Sequence, residues 1–261
     1  MSGQGLVQAT QSEWIKFRTV RSTLYALLVT VVLCVGLGAL IAFGRGSHAA
    51  SSEGGFLFDP TRVSLAGFAL AEISIGVIGV LVISSEYATG SIRSTLAATP
   101  RRLSVLLAKV VVLFAATLVV GELCSFVSFF VGQAILRGQH VTSATLSTSG
   151  ALRGVLLAGL SLALLAVFAM GIGTMLRHTA GSITVYVAIL LVLFLLLAAL
   201  PSNWRNDLSK YLPEVLTNSM RAARGDTDFS SFSPLTSTIV LTLYAVVSMV
   251  GGAVLMLRRD A

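Results

Sequence analysis

Charge is what this sequence has least of. Only 11% of its 261 residues are Asp, Glu, Lys or Arg, while 55% are apolar and fall in long blocks. That pattern excludes both a soluble globular domain, whose apolar residues come in short alternations, and a disordered chain. Lysine is rarest of the charged residues: Lys16, Lys109 and Lys210 follow Ile15, Ala108 and Ser209, so no glycine–lysine step exists to build a phosphate-cradling loop of the form G-x-x-x-x-G-K-[ST]. The chain is expected to carry no ATP site of its own. Its three histidines, His48, His140 and His178, stand apart from one another and from cysteine, and neither H-E-x-x-H nor G-x-S-x-G occurs. No catalytic residue, metal ligand or bound cofactor is therefore expected. Cys34 and Cys124 lie inside apolar runs, where a thiol behaves as a small hydrophobe.

What the sequence does have is six apolar blocks, each long enough to cross a bilayer as a helix, which takes about 20 residues. They run from Thr23 to Phe43, Ser64 to Ile83, Val105 to Leu136, Gly154 to Leu176, Gly181 to Leu200 and Ser237 to Leu257. Lipid offers no partner to open backbone groups, and the blocks lack the period-two alternation of barrel strands, so the expected fold is an all-α integral membrane protein, a single domain of six spanning helices over residues 1–261. The first block is too long for a signal-peptide core, and Arg45 follows it directly despite the weak cleavage-like Ser47-His48-Ala49. It is read as a retained span.

Lys16, Arg18, Arg21, Arg93, Arg101, Arg102, Lys109, Arg177, Arg258 and Arg259 collect on one side, in short connections close to span ends. The remaining basic residues lie on the other side, four of them in the long connection over 201–236, among the acids Asp207, Glu214, Asp226 and Asp228. The positive-inside rule then places both termini in the cytoplasm and the protein in the cell membrane. The net charge of +7 is spread over span ends and forms no single stripe, which argues against nucleic acid as a partner.

Three polar stretches interrupt the blocks. Before the first span, Val7, Trp14, Ile15 and Phe17 alternate with Gln11, Glu13, Lys16 and Arg18 at helical spacing, the pattern of a helix in the membrane interface or of an ordinary anchoring flank. After the fifth, Trp204, Leu208, Tyr211, Leu212, Val215, Leu216 and Met220 recur at steps of three and four, predicting an outer amphipathic helix bent near Pro213. Between the second and third spans, over residues 84–104, Glu86 ends a span, Gly90 allows a sharp turn, and Ser91 can cap a short helix through Ile92 and Leu96 to Thr99. Pro100 stops that helix, and Arg101 and Arg102 hold the next span at the headgroups.

Glu86-x-x-x-Gly90-Ser91, then a short helix ending at Thr99-Pro100-Arg101 between the second and third of six spans, resembles the coupling loop of type-2 ABC exporter permeases. The leader Ser12-Glu13-Trp14-Ile15-Lys16-Phe17-Arg18 is similar to that family's interfacial connecting helix, so the likeness covers essentially the whole chain. The resemblance implies a homodimer of six-helix subunits. Two copies of a separate ATPase subunit, holding ATP and Mg, would grip Glu86, Gly90, Ser91 and Arg93 of the loop and Trp14, Lys16 and Arg18 of the interfacial helix. ATP-driven closure would then export a substrate.

Two carboxylates stand inside spans. A mid-helix charge costs about 2.5–3.5 kcal/mol on insertion scales and each large aliphatic or Phe returns about 0.3–0.6, so the second span still inserts around Glu72. Glu72 lies 14 residues before Glu86, and Glu122 lies 13 after Lys109; at about 1.5 Å per residue both sit roughly 20 Å from the cytoplasmic border. They either line a path for a polar or cationic substrate, sharing a proton, or serve packing through Ser74, Thr117 or Ser125. A proton-coupled secondary transporter and a non-transporting immunity or assembly protein remain the alternatives to an exporter subunit. Small-residue pairs such as Gly67 with Ala71, Gly154 with Ala158 and Ala169 with Gly173 permit close helix contact, within one chain or between two.

Overall fold

The computed structural model describes residues 3–51, 59–91, 102–223 and 231–258. The coupling helix expected over 91–99, with Arg93, lies outside the described residues apart from its first position. Among the described residues every regular element is helical, and six helices are long and apolar enough to cross a membrane. In chain order the elements are α1 (Gly3–Thr19), α2 (Arg21–Ser47), α3 (Pro60–Ser64), α4 (Phe68–Ala88), α5 (Leu103–Gly138), α6 (Ala151–Leu176), α7 (Thr179–Leu197), α8 (Ser202–Ser209), α9 (Pro213–Arg221) and α10 (Pro234–Arg258). The spanning helices are α2, α4, α5, α6, α7 and α10, each overlapping an expected block. This is a multi-pass membrane protein.

The fourth span is the axis of the bundle. Its most apolar window is 78% buried, against 17% for α7 and 22% for α2, because α4, α5 and α10 all pack on it. Lipid is as apolar as leucine, so helices gain little by hiding apolar side chains from it and associate instead by close backbone approach at small residues. Gly79 of α4 abuts the backbone of Ala166, and a Cβ on Gly121 of α5 would stand 2.7 Å from the carbonyl oxygen of Gly159. Gly67 likewise meets the backbone of Leu33, Cys34 and Gly38, where α2 makes a π-turn over Leu33–Leu37. At the glycines of these pairs, small residues serve packing inside one chain.

The segment after the fifth span breaks at Pro213, near where the sequence predicts a bend. It forms two short helices, α8 and α9, with Lys210–Leu212 between them, and α9 is buried against α6 and α10 instead of lying across the bundle. Pro213 supplies the reason for the break, since it opens α9 at its first turn, where its missing N–H costs nothing. The C-terminal end of α9 is clamped. Asp59, which caps α3 through the N–H groups of Thr61 (2.9 Å) and Arg62 (3.3 Å), also accepts the N–H of Ala223 at 2.9 Å. Arg153 Nη2 donates to the carbonyl of Ala222 at 3.3 Å.

Candidate functional site

At the end of the bundle carrying α1, four charged side chains close into a ring. Glu13 and Lys16 lie one turn apart on α1, Glu86 lies in the last turn of α4, and Lys109 lies in the second turn of α5. Lys109 Nζ donates to Glu13 Oε2 at 2.6 Å and to Glu86 Oε1 at 2.7 Å; Lys16 Nζ donates to Glu13 Oε1 at 3.1 Å and to the same Glu86 Oε1 at 3.0 Å. Lys109 is almost fully buried, and an ammonium there is tolerable only because two carboxylates meet it. The charges alternate and sum to zero. Glu86 Oε2 is buried with no hydrogen-bond partner among the described residues.

Lys16 is the solvent-facing member, with 45% of its side chain exposed. Partial burial pulls its pKa down, but the hydrogen bonds and charges of Glu86 and Glu13 outweigh that and hold it above the usual 10.5. The ring borders a cavity of ≈ 380 Å³ that reaches Ser22, Thr23, Ser85 and Ser91. One pocket, charged on the ring side and apolar on the other, thus touches α1, the start of α2, the end of α4, the start of the 84–104 connection and the first turns of α5.

The last turns of α4 are tied to the rest of the bundle as well. Arg177 stands over the ring of Tyr87, 5.1 Å from its centroid, and its Nη2 donates to the carbonyl of Leu255 on α10 at 3.4 Å. Thr179, at the start of α7, donates its hydroxyl to Ser84 Oγ at 3.0 Å. Gly90 then ends the helix in the left-handed region, with φ of +72°, where a side chain is strained although the space around it is open. Three residues at the end of α4 thus reach its neighbours: Glu86 meets α1 and α5, Ser84 meets α7, and Tyr87 meets Arg177, which follows α6 and bonds α10.

The other expected site residues are distributed unevenly. Trp14 is exposed, its ring stacked on Phe17 at 6.4 Å, and Phe17 lines the cavity. Arg18 is exposed, and Ser91 Oγ lies 3.0 Å from Thr89 Oγ1 at the cavity edge. Glu13, Lys109, Tyr87 and Arg177 were given no site role by sequence reasoning. A signal for two of them existed: Lys109 falls six residues inside α5, about 9 Å deep, and so requires a counter-ion. Among the described residues the carboxylates on that side of the bundle are Glu13 and Glu86.

Glu72 and Glu122 have separate surroundings. Glu72 is fully buried and its Oε1 accepts from Arg221 Nη1 at 2.7 Å, while its backbone carbonyl accepts the Tyr186 hydroxyl at 2.7 Å. Arg221 is held in turn by Asn218 Oδ1 at 3.2 Å and Thr217 Oγ1 at 3.4 Å. Glu122 lies against Gly159 of α6. Of the hydroxyls expected as partners, Ser74 is engaged with Thr30 and the carbonyl of Ala26 and Thr117 with the carbonyl of Leu113, whereas Ser125 stays with Glu122, donating to its backbone carbonyl and lying within hydrogen-bond reach of its carboxyl group. Neither carboxylate lines the cavity at the α1 end or the one between α7 and α10. Among the described residues no three His, Cys, Asp or Glu side chains gather as metal ligands would. Compared with known proteins, the chain matches no protein-family model and no curated protein.

Proposed function

We propose that this chain is the membrane subunit of an ATP-binding cassette exporter, driven by a separate ATPase that docks at the α1 end. The observation that supports it is the ring of Glu13, Lys16, Glu86 and Lys109. A loop that receives work from outside the membrane must be coupled rigidly to the spans it moves, and coupling in a packed protein runs through contiguous contacts with few alternative arrangements. The ring joins α1, the base of the loop and the third span into one unit, and Tyr87, Arg177, Ser84 and Thr179 extend that unit to the sixth and fifth spans.

In this reading α1 lies in the cytoplasmic interface, Trp14 and Arg18 face the headgroups or the docked ATPase, and Gly90, Ser91 and Arg93 meet the ATPase directly. Two copies of the chain and two ATPase subunits, which bind ATP and Mg, make the working assembly in the cell membrane. Glu72, neutralised by Arg221, serves the architecture instead of the substrate path, so the proton-coupled alternative would rest on Glu122 alone. The test is export and ATP hydrolysis measured together in the purified assembly. Gly90→Val should leave hydrolysis running while export falls, because the loop's backbone geometry is altered without removing any contact. Export unchanged in that variant counts against the proposal.

A further inference from the structure

The bundle leaves a cleft between its fifth and sixth spans. A cavity of ≈ 580 Å³ opens between α7 and α10 with α6 behind it, lined by Phe168 and Ile172 of α6, Ile189 and Leu193 of α7, and Leu243 and Val247 of α10. That volume falls in the range of about 300–1,000 Å³ typical of small-molecule sites. Leu193, Leu243 and Val247 are exposed, so in a bilayer the cleft faces sideways into hydrocarbon. Tyr211, Leu212 and Pro213, in the connection from α8 to α9, line it at the end away from α1.

The polar groups of the walls are already engaged. Ser248 Oγ donates to the carbonyl of Ala245 at 2.9 Å, and the Tyr244 hydroxyl donates to the carbonyl of Tyr211 at 2.9 Å. A guest presenting donors or acceptors inside would lose its water without replacement, which leaves a hydrocarbon chain as the fitting guest. The rim selects the other end of the molecule. Lys210 holds its ammonium 5.6 Å from the Tyr211 ring centroid and 5.8 Å from that of Phe232. Its contact with Asp207 is long, 3.8 Å, to a carboxylate with 84% of its side chain exposed. So loose an ion pair contributes little, and Lys210, next to the lining residue Tyr211 and in contact with its ring, keeps its positive charge beside the cleft.

We propose that this cleft binds one anionic glycerophospholipid, an acyl chain between α7 and α10 and the phosphate at Lys210. The proposal stands whether or not the chain belongs to an exporter. It is tested on the purified, delipidated protein given equal amounts of phosphatidylglycerol and phosphatidylcholine with identical chains, with retained lipid counted by native mass spectrometry. One phospholipid is retained per chain, with phosphatidylglycerol preferred about fivefold, the worth of one lysine beside an anionic headgroup. Val247→Trp and Leu193→Trp fill the cleft from opposite walls and lose the retained lipid, while Val246→Trp, which is exposed outside the cleft lining, keeps it. Lys210→Gln retains lipid but no longer distinguishes the two headgroups. The proposal is overturned if the wild type retains none, or retains both lipids equally, or if both cleft variants hold lipid as the wild type does.

Discussion

At the α1 end four charges share four contacts around a cavity, and Lys16 keeps 45% of its side chain exposed; towards the other end Glu72 and Arg221 share one contact, and their side chains are 0% and 2% exposed. In the ring each ion has two partners, so one contact can lengthen while the others persist. The Glu72–Arg221 pair has no such reserve. A buried pair is poor evidence of net stabilisation, yet removing one member leaves an uncompensated charge in a low-dielectric site. The difference separates a redundantly bonded cluster that joins three helices into one unit from a single ion pair that fixes α9 in place.

The largest expected effect therefore comes from the isolated pair. Arg221→Met should cost about 3–5 kcal/mol in unfolding measurements, and the double variant Glu72→Leu/Arg221→Met should recover most of that. If the single variant is as stable as the wild type, α9 is not held by this pair. Lys109→Met should cost less, about 2–3 kcal/mol, because Lys16 still meets both carboxylates and the adjoining cavity admits water. Equal losses for Arg221→Met and Lys109→Met would erase the contrast between the clusters.

Gly90→Val comes next, at about 1–2 kcal/mol, the penalty of a left-handed backbone for a residue with Cβ. Gly90→Asn should cost less, since Asn tolerates that conformation best among the alternatives. Lys16→Gln should be the mildest, below about 1 kcal/mol, as expected for a half-exposed ion pair. Its signature is the pH dependence. Because its pKa is raised on folding, the stability Lys16 contributes is fully present below 10.5 and is lost as pH rises through the higher folded value. Wild type and Lys16→Gln should therefore converge in stability only in that alkaline window.

The spans were legible from the sequence because lipid imposes length and apolarity on each one separately. Their order, and the turn at Gly90, needed no tertiary information. Burial of α9 did not show, because an amphipathic pattern fits a helix lying across a bundle as well as one inserted into it. Arg221, counted as an outer-loop charge, consequently hid its role as the partner of Glu72, 149 residues away. Three of the four ring residues, Glu86, Glu13 and Lys16, stand in the loop and leader motifs, although only Glu86 and Lys16 carried an expected role. Lys109 was read only for its sign, although its depth in α5 demanded a counter-ion. Tyr87 occupies a position where the motif tolerates variation, and nothing local announces that Arg177 stacks on it.

ATP hydrolysis recovered with the chain tests the coupling account most directly. The tagged protein would be purified from its native membrane, and vanadate-sensitive hydrolysis measured for the wild type and for Glu86→Lys, with matched elution profiles as the control for folding. The account predicts hydrolysis with the wild type and its loss with Glu86→Lys, which sets three positive charges around the α1 end against Glu13 alone. Hydrolysis absent from the wild-type preparation, or undiminished in Glu86→Lys, would contradict it.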